Sequence, residues 1–481
     1  MEISPASHEK GMLFTRGWLW LKELSKRLIA KVIETAKSTK KLAQDDPRRV
    51  THSLKVGLAL SLVSLFYYYQ PLYDNFGFSA MWAVMTVVVV FEFSVGATLG
   101  KGLNRALATL LAGALGLGAH HLASLSGQIA EPILLGFFVF LQAATSTFVR
   151  FFPKIKTRYD YGLLIFILTF SFISVSGFRD DEILELAHKR LSTIFIGGFA
   201  CVIISILVCP VWAGEDLHNL IALNMEKLAT FLEDSSTTGF GFDNLETSEN
   251  GESNDGKLFT QGYKSVLNSK SSEESLANFA KWEPGHGRFK FRHPWKQYLT
   301  IGTLNRECAY RIDALSGYLN SDIQASPEIC SKIQEACTKM SLESGKTLKE
   351  LASGIRAMTQ PSSAYLHISK AKIASKNLKS LLKSSFWDDD ANLLAVIPAV
   401  TVASLLIDIV DCTKKIVDSV HELASLAHFQ GVDLTVGQGE QDKPLSEIDC
   451  PQVVMTIDGP IPALPENGKP PPALTDRHTD M

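Results

Sequence analysis

Two cations four residues apart, Lys101 and Arg105, stand at the start of a long apolar run. On a helix that spacing puts both on one face. Arg105 lies one to two turns inside the apolar stretch, where a charge is costly and ordinarily faces a partner or a water-filled path. Lys189 and Arg190 open another apolar run, and Arg150 closes a third. Rings of Arg or Lys across a low-dielectric path can replace the hydration shell of a passing anion, and a guanidinium stays charged even when buried. Anchoring at the membrane surface is the competing use of the same side chains, and it weighs most for Lys101 and Arg150. Lys55 is read as a snorkelling side chain. Lys154, Lys156 and Arg158 read as topology signals.

Carboxylates form a second set. Glu92 ends an apolar run and is expected to pair with Lys101 or Arg105, or to carry a coupled proton. Asp181 and Glu185 are four apart at a helix start, and Asp74 lies in another loop on the same side. Together they could hold a hard cation through oxygen ligands; a solvated acidic loop is the alternative. His120 and His121 read as interface histidines or a pH sensor. Gly96 and Gly100, followed by Gly113, Gly116 and Gly118, read as small residues for close helix packing. The segment Trp282, Glu283, Pro284, Gly285, His286, Gly287, Arg288, Phe289, with the basic-aromatic run Lys290 to Trp295 behind it, is expected to dock one domain on another. Its basic residues could instead meet anionic lipid or anions in solution. No Ser/His/Asp set, HExxH, phosphate loop or zinc spacing is present, so no enzymatic chemistry is expected and no cofactor is implied.

The elements that must carry these residues are apolar. Stretches at 51–69, 79–95, 98–123, 132–150, 160–177 and 190–212 approach the roughly 20 residues needed to cross a hydrocarbon core about 30 Å thick. Loop charge alternates: basic before the first stretch and between the fourth and fifth, acidic at Asp180, Asp181, Glu182 and Glu185. Lys and Arg favour the cytoplasmic side, so both termini are expected inside and the acidic loop outside. The reading is an all-α membrane protein: six transmembrane helices in three hairpins, then a cytosolic helical bundle.

Net charge divides the 481 residues: +5 over 1–50, +2 over 51–212 and −10 over 213–481. The expected domains are a basic N-terminal segment (1–50), the six-span domain (51–212), a helical domain (213–430, with a mobile loop at 235–258) and a disordered tail (431–481). An acidic soluble half excludes nucleic acid as an expected partner. The polar N-terminus predicts no cleavable signal. Seven cysteines without a CxxC pattern predict free thiols. Helical periodicity predicts helices over 217–232, 296–318, 327–357, 365–386 and 391–428.

Five segments resemble the plant aluminium-activated malate transporter family: 46–50 (DPRRV), 81–90 (MWAVMTVVVV), 94–105 (SVGATLGKGLNR), 208–214 (VCPVWAG) and 282–289 (WEPGHGRF). The likeness covers about 45–430. It implies a passive channel for malate and related anions, a homodimer with a helical cytosolic domain, and external Al³⁺ as an activator. It also implies the plasma membrane, with the vacuolar membrane as the alternative. From the residues alone, a proton-coupled efflux carrier and a membrane-anchored scaffold or sensor stay open.

Overall fold

The computed structural model describes residues 6–69, 81–127, 129–176, 183–237, 262–319, 327–384 and 393–430. All its named elements are helices. The first, α1 (Ala6–Asp45), belongs to a unit separate from the body that begins at Arg48. It is a 40-residue helix where the sequence promised only a basic segment.

The apolar half of the body holds α2 (Pro47–Tyr68), α3 (Met81–Val90), α4 (Val95–Ser124), α5 (Glu131–Val149), α6 (Pro153–Ser176) and α7 (Ile183–Leu207). All six apolar stretches are therefore helical. Helices α2, α4, α5 and α6 are each long and apolar enough to cross a membrane, while α3 and the apolar part of α7 are shorter. The expected second stretch ran on to residue 95, but the helix stops at Val90. Ser94 then caps α4, its hydroxyl accepting from the Ala97 amide at 3.3 Å, and a capping side chain is what a new helix start requires. The sixth stretch, expected over 190–212, begins at Ile183 and ends at Leu207, ahead of Cys209 in the left-handed region (φ 40) and Pro210. Most large apolar side chains here point outward, Leu54, Phe140 and Phe199 among them, as a surface in contact with lipid requires. Inward packing combines small groups with a few large ones, Phe91, Phe170 and Ile204 among them. Ala59, Val63, Ala83, Val87 and Cys201 join α2, α3 and α7, and a Cβ on Gly197 would stand 2.6 Å from the Ala83 carbonyl oxygen.

The second half is a bundle: α8 (Ala213–Thr237), α9 (Gly262–Leu267), α10 (Lys270–Ala280), α11 (Trp295–Leu319), α12 (Pro327–Ala357), α13 (Ala364–Ser384) and α14 (Leu393–Leu426). Its core runs from Leu217, Ile221 and Leu228 through Ile301, Ile312 and Leu348 to Leu406, Ile416 and Leu423. Although α14 is apolar enough to span a membrane, it packs against α11, α12 and α13. Among the described residues one carboxylate is buried completely: Glu273 meets Arg306, the Ser269 hydroxyl (2.7 Å) and the Asn224 amide (3.2 Å). A buried charge persists when it is paired and hydrogen-bonded in this way. Helices α9 and α10 were not foreseen, because 262–280 is polar and its apolar stripe is short. The expected mobile loop lies largely outside the described residues, and the expected tail entirely so. The six described cysteines are free.

Candidate functional site

Arg105 is buried, with 6% of its surface exposed, on a helix of mean composition otherwise apolar. Its guanidinium donates to the Tyr161 hydroxyl of α6 at 3.2 Å, and its Nε finds no partner among the described residues. One turn earlier, Lys101 pairs with Glu92 and lies 5.7 Å from the centre of the Tyr161 ring. Tyr161 thus unites the two cations of the α4 stripe, and no spacing rule in the sequence pointed to it. A charge with unused donors in a low-dielectric setting attracts anions strongly. Glu92 takes the first of the two partners foreseen for it and is half-exposed.

Arg150 is engaged differently. Its Nε and a terminal nitrogen donate to both oxygens of Asp160 at 2.7 and 3.1 Å, a bidentate arrangement. Two cations had been read as peripheral and are not. Lys55 does not snorkel: it is buried and its ammonium donates to the Cys209 carbonyl at 2.6 Å, joining α2 to the end of α7. Arg158 is more than a topology signal. Its guanidinium lies 5.4 Å from the Trp282 ring centre, and its carbonyl accepts from Asn104 at 3.2 Å. Lys189, Arg190 and Glu185 fall on α7, but their side chains lie outside the described residues, as do Asp74 and Asp181 altogether. Among the described residues no cluster of His, Cys, Asp or Glu has the geometry of a metal site. His120 stands 3.9 Å from Glu131.

The Trp282–Phe289 segment forms the junction between the apolar helices and the bundle. Trp282 lies over Gly100, where a Cβ would meet its ring at 2.9 Å, and a Cβ on Gly96 would strike the Phe279 carbonyl oxygen. These two glycines therefore admit the bundle rather than another apolar helix. Gly116, whose Cβ would meet Ile173 of α6 at 3.0 Å, does serve helix packing. Glu283 is buried, and its carboxylate accepts from the Ala213 and Gly214 amides at 2.6 and 3.0 Å. It thereby caps the N-terminus of α8, where unpaired N–H groups and the helix dipole favour a negative charge. Its Cγ also stands 2.9 Å from the place a Gly96 Cβ would take, at the start of α4. Burial raises the Glu283 carboxyl to about 7, against the opposing pull of the Gly214, Ala213 and Gly96 amides, with Asp216 adding to the rise. His286 stacks on Trp212, ring centres 3.7 Å apart and planes within 9°, and its Nδ1 lies 3.1 Å from the Pro284 carbonyl. Arg288 donates to the Ala357 carbonyl at 3.3 Å. Arg48 adds an ion pair to Asp216 of α8 at 2.9 Å. Behind the junction, the Tyr298 hydroxyl lies between His218 Nδ1 (2.9 Å) and His293 Nε2 (3.2 Å). Burial pushes both histidines down to about 4, so they are neutral near pH 7.

These features define an all-α membrane protein with cations buried among apolar helices and a helical bundle locked to their ends. The pattern of the family described as "Aluminium activated malate transporter" matches residues 40–387. The chain is 60% identical to aluminum-activated malate transporter 2 of Arabidopsis thaliana over 403 residues, 83% of this chain and 79% of that protein. It is 48% identical to aluminum-activated malate transporter 1 of Triticum aestivum over 424 residues, 84% of this chain and 90% of that protein. Against aluminum-activated malate transporter 10 of Arabidopsis thaliana the identity is 42% over 452 residues, 87% and 90% of the two chains. The chain belongs to the aluminium-activated malate transporter family.

Proposed function

We propose that this chain is an anion channel that conducts malate and related anions across a plant membrane, and that external Al³⁺ activates it. The observation that carries the reading is Arg105, a buried guanidinium with an unused donor, held on an apolar helix by Tyr161. Its relatives bear names that specify malate transport and activation by aluminium. In this reading α2 to α7 cross the membrane as three hairpins, with both termini and the bundle in the cytosol. The plasma membrane is the site, by the same resemblance. Two copies place their α4 cations around a shared axis, since one basic stripe per chain is thin for a pore. Lys101 and Arg150 enrich anions at the inner mouth, and Lys189 and Arg190 stand toward the outer one. Both inner cations have acidic partners, so Arg105 carries the main part.

The acidic residues Asp74, Asp181 and Glu185 supply oxygen ligands for Al³⁺ in this reading. The coupled-carrier alternative rests on Glu92, which the ion pair with Lys101 occupies. A scaffold needs no buried cation in its apolar helices. Voltage clamp of oocytes loaded with malate tests the proposal. Outward-rectified or inward malate current whose reversal follows the malate gradient supports a channel; reversal that follows the proton gradient supports the carrier, and no current at verified surface expression removes both. Loss of the aluminium response in Asp181→Asn and Glu185→Gln would place the activator at the outer loop, and an unchanged response would remove it from there.

A further inference from the structure

A cavity of about 500 Å³ opens beside the junction, between the 281–297 segment and the C-terminal end of α14 at Leu426. Its size falls within the range of small-molecule sites. Four cations border it: Lys281, Lys290, Arg292 and Lys296. None has an acidic ion-pair partner among the described residues. Lys281 reaches only the Asn278 side chain, at 3.2 Å. The two carboxylates nearby are already engaged, Glu283 by the α8 amides and Glu422 by Gln297 at 2.9 Å. The Lys281 ammonium is pushed down first by burial and then by the charges of Arg158 and Lys296.

The four side chains are solvent-exposed, and two further features adjoin them. The 25-residue helix α11 begins at its wall, with Trp295, Lys296 and Gln297 all lining it; the Trp295 and Gln297 amides donate to the His293 and Pro294 carbonyls at 2.8 and 2.9 Å, so the helix start contributes its dipole rather than those two N–H groups. Arg292 is held at φ 63, a left-handed backbone that a long side chain adopts only when its surroundings impose it, and such positions gather at functional sites. The lining also includes the aromatic rings of Phe289 and Trp295.

We propose that this cavity binds a phosphate-bearing polyanion, its phosphates held by Lys281, Lys290, Arg292 and Lys296 and its carbon body resting on the Phe289 and Trp295 rings. A phosphate monoester carries about −1.5 to −2 at neutral pH, so two of them match four cations, whereas one dicarboxylate does not. Arg recognises phosphate oxygens through its planar fork. Trp282 and Arg158 meet immediately next to the cavity at the end of the apolar helices. The same chemistry can therefore arrive on a lipid headgroup or free in solution. The site goes beyond the transport reading, because binding is measured whether or not the chain conducts.

The test uses the full chain in neutral detergent and calorimetry with two probes, inositol 1,4,5-trisphosphate and dioctanoyl phosphatidylinositol 4,5-bisphosphate. Saturable binding that weakens with added salt is expected for at least one. The double variant Lys290→Ala/Arg292→Asn should weaken it roughly 30-fold or more, from two lost charge-assisted contacts. Asn is chosen because it tolerates the left-handed backbone. The control Lys376→Ala/Lys379→Ala, on exposed positions of α13, makes the same change in net charge and should leave binding within twofold. Tighter binding of the lipid identifies the headgroup in a membrane as the source; equal or tighter binding of the free phosphate identifies a soluble ligand. Absence of saturable binding by both probes overturns the proposal. So does binding that survives in the Lys290/Arg292 variant, or that falls equally in the control, with melting curves confirming that each variant is folded.

Discussion

Replacing Glu283 tests the junction most directly. In Glu283→Ala the amides of Ala213 and Gly214, which meet the carboxylate at 2.6 and 3.0 Å, lose their acceptor. Each of these two buried donors left unpaired costs about 1–3 kcal/mol. Removing a desolvated carboxylate offsets part of this, so we expect a net loss of about 2–4 kcal/mol, equivalent to roughly 5–10 °C in melting temperature. Glu283→Gln keeps one acceptor oxygen and should lose less. It also isolates the titration. The folded carboxyl sits near 7, and its ordinary value is 4.5. Between those values the folded chain holds more protons than the unfolded one, so this group's contribution to stability falls as pH rises from 4.5 to 7 and is constant above. The whole change is about 3 kcal/mol. His218 and His293 work in the opposite sense: with folded values near 4, they lower stability as pH falls below about 6.5. They are present in both proteins and cancel in the comparison. The assay is the melting of detergent-purified parent and Glu283→Gln at pH 5, 6, 7 and 8. The parent's advantage over the variant should shrink from pH 5 to 7 and then hold. A difference that is flat or grows across that window would refute the argument that burial, rather than the helix N-terminus, dominates at Glu283.

Three other outcomes are expected. Arg105→Ala should abolish or strongly reduce malate current at matched surface expression while Lys156→Ala changes it little, and normal current with normal anion selectivity in the Arg105 variant would move the pore elsewhere. Gly100→Val should drive a side chain into Trp282, destabilising the junction by about 1–3 kcal/mol; a companion Trp282→Ala should recover part of that loss in a melting experiment, and no recovery would place the strain outside this contact. A double-mutant cycle on Arg150→Ala and Asp160→Ala should return a coupling near the limit of measurement, because both partners are about a third exposed; a clear coupling would show the pair to be shielded from solvent, as inside a packed dimer.

Periodicity alone fixed much of the architecture. The helix expected over 327–357 is α12, and those expected over 296–318 and 391–428 agree with α11 and α14 to within two residues at each end. Each carries a long stripe of apolar residues whose spacing admits only one secondary structure. The motif carrying Glu283, and the cations Lys101 and Arg105, were likewise visible, since charge inside an apolar run is conspicuous without coordinates. The six-residue α9 and eleven-residue α10 were not, because two or three apolar positions do not establish a period. What tertiary structure decided is which charge meets which. Glu283 reaches amides 70 and 69 positions away, and Arg105 meets a tyrosine 56 positions away. Lys55, read as snorkelling, is buried against a carbonyl 154 positions away. Gly96 and Gly100 have the spacing of a membrane helix contact and instead admit Phe279 and Trp282. Local sequence sets the torsional and hydropathic preferences of each segment, so it determines the helices. Pairing of charges across those helices depends on the packing of distant segments, and the energy of a buried charge is set by partners that no local pattern records.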